Sequence, residues 1–305
     1  MTSILQRFRN SGINLAQAVK LVVYALLLIN FAFYFIEDWQ IAQFTRANGG
    51  TFLQWTSAFV TSIDELAWFV LLFLFELETY VLDDAALTRR RLILMHGARY
   101  VCYAFLAHTV YAYSVDIVKL GNVEAVENVS SLCQMEGGKS SFASNLEYSE
   151  ITIKNCEELS SANGFIYLDP PDYLIVTDAE GFVIETQLSV VDLAESITWL
   201  LILFSIEATV MLQERSIGIS SSSGFLSSFD TEASLKLLNR AKVVLYCLLW
   251  GAIAYWVFRG HYIYGWDEFV WIIGFVLIEN NISGWREETA GTDSSGPPIK
   301  ENSSA

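Results

Sequence analysis

The sequence predicts an all-α polytopic membrane protein. Six transmembrane helices form three tandem, parallel-oriented helical hairpins related by a pseudo-threefold axis. A small β-containing extracytoplasmic insertion lies between helices 3 and 4. Three observations predict this class. The chain falls into six long apolar blocks, its Lys and Arg residues gather on one side of them, and two residue patterns alternate along the blocks.

The blocks come first. The 305 residues are 53% hydrophobic and only 17% charged, too apolar for a soluble protein of this length. A helix needs about 20 mainly apolar residues to cross a bilayer. Blocks of that kind cover roughly 19–37, 57–82, 93–118, 190–212, 241–258 and 267–284. A polar, basic stretch with Arg7 and Arg9 precedes the first block. No small-residue cleavage site follows it, so it reads as a retained span and not as a removed signal peptide.

Orientation follows from Lys and Arg. With the N-terminus in the cytoplasm, thirteen of them fall in inner segments and two, Arg46 and Arg259, in the short outer ones. The long outer loop is left out, because long loops translocate whatever their charge. Both termini are therefore expected in the cytoplasm. The compact six-span design with short loops suggests a bacterial inner membrane. The organisation is then 1–118 for the first hairpin and third span, 119–189 for the insertion, 190–286 for spans 4 to 6 with a cytoplasmic loop at 214–240, and 287–305 for a disordered cytoplasmic tail.

The insertion holds nine Glu, three Asp and three Lys, so its acidity either keeps it soluble or concentrates cations at a pore mouth. The runs "ITIKNC", "FIYLDPPDYLIVTD" and "GFVIETQL", separated by turn signals, suggest short antiparallel strands. Cys133 and Cys156 both fall here, and an oxidising compartment favours a disulfide between them. A net charge of −16 excludes nucleic acid as a partner.

The even-numbered spans read "DELAWFVLLFLFELE", "ESITWLLILFSIEAT" and "DEFVWIIGFVLIENN". Each has an acid (Asp64, Glu195, Asp267), a Trp four residues on (Trp68, Trp199, Trp271) and a Glu eight further (Glu76, Glu207, Glu279). Each odd-numbered span has a cation (Lys20, Arg99, Lys242), a Tyr four residues on (Tyr24, Tyr103, Tyr246) and another aromatic ten further (Tyr34, Tyr113, Trp256). Two patterns in strict alternation, three times each, mark an internal repeat.

Helix rise puts each Glu about 18 Å inward from its outer acid, inside the hydrocarbon. An ionised carboxylate there must be paired, protonated or beside water. In one reading each Glu is a structural partner of Tyr and of Lys or Arg on a neighbouring helix. In the other, Glu76, Glu207 and Glu279 converge on a cation or proton site, with Lys20, Arg99 and Lys242 as an inner gate. The outer acids suit helix starts, and Trp68, Trp199 and Trp271 suit an interfacial aromatic belt. No nucleophile–base pair, phosphate-binding loop or His-rich set occurs, which argues against an enzyme, a metal centre or a bound cofactor. The sequence thus leaves two functions open. One is a small cation- or proton-linked transporter or channel. The other is a non-transporting scaffold, accessory subunit or sensor whose insertion binds a protein partner.

Overall fold

The structure, a computed structural model, describes residues 15–77, 89–216 and 231–276. Glu279, the final part of the sixth predicted span, residues 217–230 of the predicted cytoplasmic loop and the predicted tail at 287–305 lie outside the described residues.

Helix α1 (Leu15–Thr45) has 31 residues and a reach of about 45 Å, longer than a hydrocarbon core. It runs past the predicted end at 37 because Asp38 does not stop it. The Asp38 carboxylate accepts hydrogen bonds from the Ser62 backbone N–H (2.9 Å) and hydroxyl (2.7 Å), so it is satisfied inside the bundle. The second predicted span is broken. Helices α2 (Phe52–Ala58) and α3 (Val60–Glu76) meet at 75° around Phe59. A capping box starts α2: the Thr51 hydroxyl accepts from the Gln54 N–H, and the Gln54 side chain accepts from the Thr51 N–H. Phe52, Leu53 and Trp55 on α2 are exposed, as suits a short helix at a membrane boundary.

Helix α4 (Arg89–Leu120) follows, then the sheet domain, then α6 (Ala179–Ser216), α7 (Thr231–Arg259) and α8, helical over 262–276. Among the described residues four helices are long and apolar enough to cross a membrane, and the bent α2–α3 pair makes a fifth. Large apolar side chains stand exposed along them, among them Leu94 at 74%, Phe204 at 69% and Phe258 at 83%. A soluble protein would cover such a surface; a bilayer covers it here. The chain is a multi-pass, membrane-integral protein.

Helices α1 and α3, α3 and α4, α4 and α6, and α6 and α7 pack against one another. Leu27, Leu106, Ile202 and Leu249 from α1, α4, α6 and α7 are fully buried in one core with Trp68, Trp199, Trp271 and Phe275. Each fully buried Leu contributes about 2 kcal/mol if the alternative is water, and less against lipid.

The sheet domain has five short strands in the order β1-β4-β5-β2-β3: β1 (Glu124–Ala125), β2 (Ser141–Ser144), β3 (Glu147–Glu150), β4 (Ile166–Tyr167) and β5 (Ile175–Thr177). All pairings are antiparallel except β2 with β5, which is parallel and departs from the all-antiparallel expectation. Cys133 and Cys156 form a disulfide that ties a four-residue helix, α5 (Cys156–Leu159), to a 3₁₀ turn at Leu132–Met135. Leu132, Phe142, Phe165 and Val176 complete a core of their own.

Two predicted strands are not strands. "ITIKNC" is a turn, because Asn155 turns its carbonyl oxygen back to the Thr152 N–H and hydroxyl, both at 2.8 Å. "GFVIETQL" is the first part of α6. Asp178 caps it, its side chain accepting from the Gly181 N–H at 2.8 Å and its carbonyl from the Phe182 N–H at 2.9 Å. The β2–β3 hairpin, which the sequence reading passed over, turns on Asn145 and Leu146, both at positive φ (55° and 64°). Asn tolerates that conformation and Leu resists it. The Leu146 N–H is held there by the Glu185 carboxylate of α6 at 3.2 Å.

Candidate functional site

A cavity of about 320 Å³ lies between the sheet domain and the helices. Side chains from every long helix reach it, and Leu146, Tyr148, Leu168, Asp169 and Ile175 form its roof. Its lining is heavily acidic. Glu37 and Asp38 come from α1, Asp64 and Glu65 from α3, Asp116 from α4, Glu185, Asp192 and Glu195 from α6, and Asp267 and Glu268 from α8. Among the described lining residues the only cations are Arg46 and Lys119.

Neutral donors hold these carboxyls. The indole N–H of Trp271 donates to both oxygens of Glu65 at 3.1 Å, and that of Trp199 to Glu268 at 3.0 and 3.1 Å. Trp256 donates to Glu195 at 2.8 Å. Asn30 Nδ2 donates to Asp267 Oδ1 at 2.5 Å, Tyr34 also donates to Asp267, and Asp64 is bonded to Thr109 and Trp68. Glu65 and Asp267 are 8% and 4% exposed and lie close enough to act on each other electrostatically. No ion pair joins Asp64, Glu65, Glu195, Asp267 or Glu268 to a described Lys or Arg. In the roof, outside the spans, burial raises the Asp169 carboxyl above its ordinary value, although it accepts from the Leu174 and Ile175 N–H groups.

The repeated tryptophans are not an interfacial belt. Trp68, Trp199 and Trp271 are 6%, 7% and 5% exposed. Trp68 packs on Trp199 (ring centroids 5.9 Å) and on Trp271 (6.3 Å), and all three indoles surround Phe275. The reason is the indole N–H, which finds a buried carboxyl and so draws the ring inward. The helix-start reading of the acids fails for Glu195, which lies in the middle of α6, whereas Asp64 and Asp267 lie about one turn into α3 and α8, beside the cavity.

At the opposite end of the bundle the repeated glutamates meet other partners. Glu76 Oε1 pairs with Lys20 Nζ at 2.8 Å, with side chains 17% and 15% exposed. The Tyr103 hydroxyl donates to Glu207 Oε1 at 2.7 Å, and Arg99 is close enough to Tyr103 to act on it electrostatically. Tyr24 and Tyr246 pack against the apolar core, and Lys242 is half-buried on α7. Glu76 and Glu207 are thus held by different partners, and Glu279 lies outside the described residues.

No role for Glu65, Glu268, Asp192 or Asn30 followed from the sequence. A signal existed for the first two. The pattern acid sits in an Asp-Glu dipeptide at 64–65 and at 267–268, while the middle copy has Glu195-Ser196. No group of three or more His, Cys, Asp or Glu among the described residues has the geometry to hold a metal ion. Comparisons with protein-family models, curated proteins and solved structures return no match to this chain.

Proposed function

We propose that this protein is a small cation- or proton-linked transporter or channel, and that the acid-lined cavity is where it handles the ion. The single observation behind this reading is the set of buried carboxyls that face a cavity and make no ion pair with a described Lys or Arg. Carboxyls inside a membrane bundle are costly unless they serve an ion path. Those at the cavity hold protons or leave negative charge for a cation to neutralise. The inner glutamates, which the sequence offered as ion ligands, have Lys20 and Tyr103 as partners and suit the structural role better.

The six-span, three-hairpin arrangement belongs to the same proposal. Its support is a cyclic rule in the hydrogen bonds. Trp271 of the third copy reaches Glu65 of the first, and Trp199 of the second reaches Glu268 of the third. The odd-span aromatics run the other way: Tyr34 of the first copy reaches Asp267 of the third, and Trp256 of the third reaches Glu195 of the second. Such bonds are what a pseudo-threefold axis through the tryptophan cluster would generate. With Lys and Arg counting the opposite end as cytoplasmic, both termini lie inside and the sheet domain outside, most simply in a bacterial inner membrane.

The test is flux through the purified protein in liposomes, driven by a proton, sodium or potassium gradient. Wild type should carry one of them, and Glu65→Gln should carry at least tenfold less while eluting as a folded, monodisperse species. Vesicles as tight as empty ones for all three ions would refute the proposal and favour the non-transporting reading, with a protein partner at the sheet domain.

A further inference from the structure

Arg46 is an odd presence in this cavity. It follows the last residue of α1, and its side chain is only 13% exposed. Its one ion pair among the described residues is long, Nη1 to Asp172 Oδ2 at 3.9 Å, and Asp172 is 42% exposed. Its Nε is buried without a hydrogen-bond partner. A guanidinium has five donors in a rigid fork and normally satisfies them in pairs. Here its ion-pair partner is distant and partly exposed. The other cation at the cavity, Lys119, is already committed: it pairs with Asp116 of its own helix at 2.8 Å and is 43% exposed. Arg46 also shares the cavity lining with the acids, and an opposite charge near buried carboxyls favours their ionised form.

We propose that Arg46 is the cavity's resident counter-cation, a tethered competitor that an entering cation must displace. The inference rests on the cavity being a cation chamber. Removing the guanidinium leaves the acids bare and strengthens their hold on a mobile cation. Nearby Asp172 then keeps its place in the β4–β5 connection and contributes little.

The test uses the full-length protein with Cys102 and Cys247 replaced by Ala, since Cys133 and Cys156 are already bonded to each other. Ser189→Cys on α6, in the cavity lining, is the reporter. Its modification rates with a cationic and with an anionic methanethiosulfonate reagent are compared. In Arg46→Gln the cationic-to-anionic ratio should rise about tenfold, as loss of one charge from the lining that holds the reporter predicts. Arg46→Lys should keep the wild-type ratio. Asp172→Asn should keep it too, because the counter-cation remains. A cationic preference that ignores Arg46 overturns the inference and leaves the chamber standing. Equal gains for both reagents, or an Asp172→Asn variant that matches Arg46→Gln, overturn it as well, by making Arg46 a mere latch for the sheet domain. No cationic preference in any variant overturns the chamber reading itself.

Discussion

The two ends of the helical bundle use buried carboxylates in opposite ways. Near the sheet domain, Glu65, Glu195, Asp267 and Glu268 bond to indole and amide groups around a cavity. At the far end, Glu76 is bound to a lysine and Glu207 to a tyrosine, in direct contact. Indole and amide donors orient a carboxyl without cancelling its charge, whereas Lys20 cancels it. A carboxyl held but not neutralised stays able to exchange a proton or a cation. One that is paired off fixes two helices to each other. Residue type is alike at both ends; what differs is the partner.

The largest effect should come from the cavity end. Asp267→Asn combined with Glu268→Gln keeps side-chain size and the ability to accept from Asn30 and Trp199, and removes the charge. Flux through reconstituted protein should drop to the level of empty vesicles while thermal unfolding in detergent stays where it was. If flux persists and is lost instead in Glu76→Gln or Glu207→Gln, the comparison is inverted and the ion path runs through the far end.

Next in size is the Lys20–Glu76 pair. Lys20→Met leaves a half-buried carboxylate without its cation, which costs about 3 kcal/mol when one partner of such a pair is removed. Lys20→Met with Glu76→Leu should recover most of that loss, since apolar replacements of a buried pair are often neutral. The measurement is the unfolding midpoint in denaturant titrations of the detergent-solubilised protein, with flux followed in parallel. A variant with unchanged stability and lost transport would mean that Lys20 is a gate after all.

Much of this arrangement was legible in the chain. The apolar blocks locate the helices, since length and hydrophobicity are local properties of a span. The two alternating patterns single out Trp68, Trp199, Trp271, Glu76 and Lys20 because buried indoles and charges have few permitted surroundings in a membrane. What the chain hid was the partners of the outer acids and the tryptophans. Glu195 looked like a helix start because its helix begins at Ala179, well before the apolar block. The tryptophans looked interfacial because nothing local distinguishes an indole at a boundary from one whose N–H reaches a carboxyl 206 residues away. The strand at "GFVIETQL" failed in the same way. Its β-branched residues outweighed one capping aspartate, Asp178, which local pattern reading does not weigh heavily enough.

The smallest predicted effect is the most selective. Tyr103→Phe removes one hydroxyl and leaves ring packing intact, so it isolates the 2.7 Å bond to Glu207. A hydrogen bond of this kind is worth about 1 kcal/mol net, and more when the acceptor is charged. Arg99, close to the same tyrosine, remains to compensate part of the loss. Stability should therefore fall by about 1 kcal/mol, read as a small shift in the unfolding midpoint, and flux should hold within a factor of two. Adding Glu207→Gln to Tyr103→Phe should cost less than the two changes made separately, because the bond is lost only once. Full additivity would mean that Glu207 interacts with something other than Tyr103, and that would reopen the far end of the bundle as a place where ions are bound.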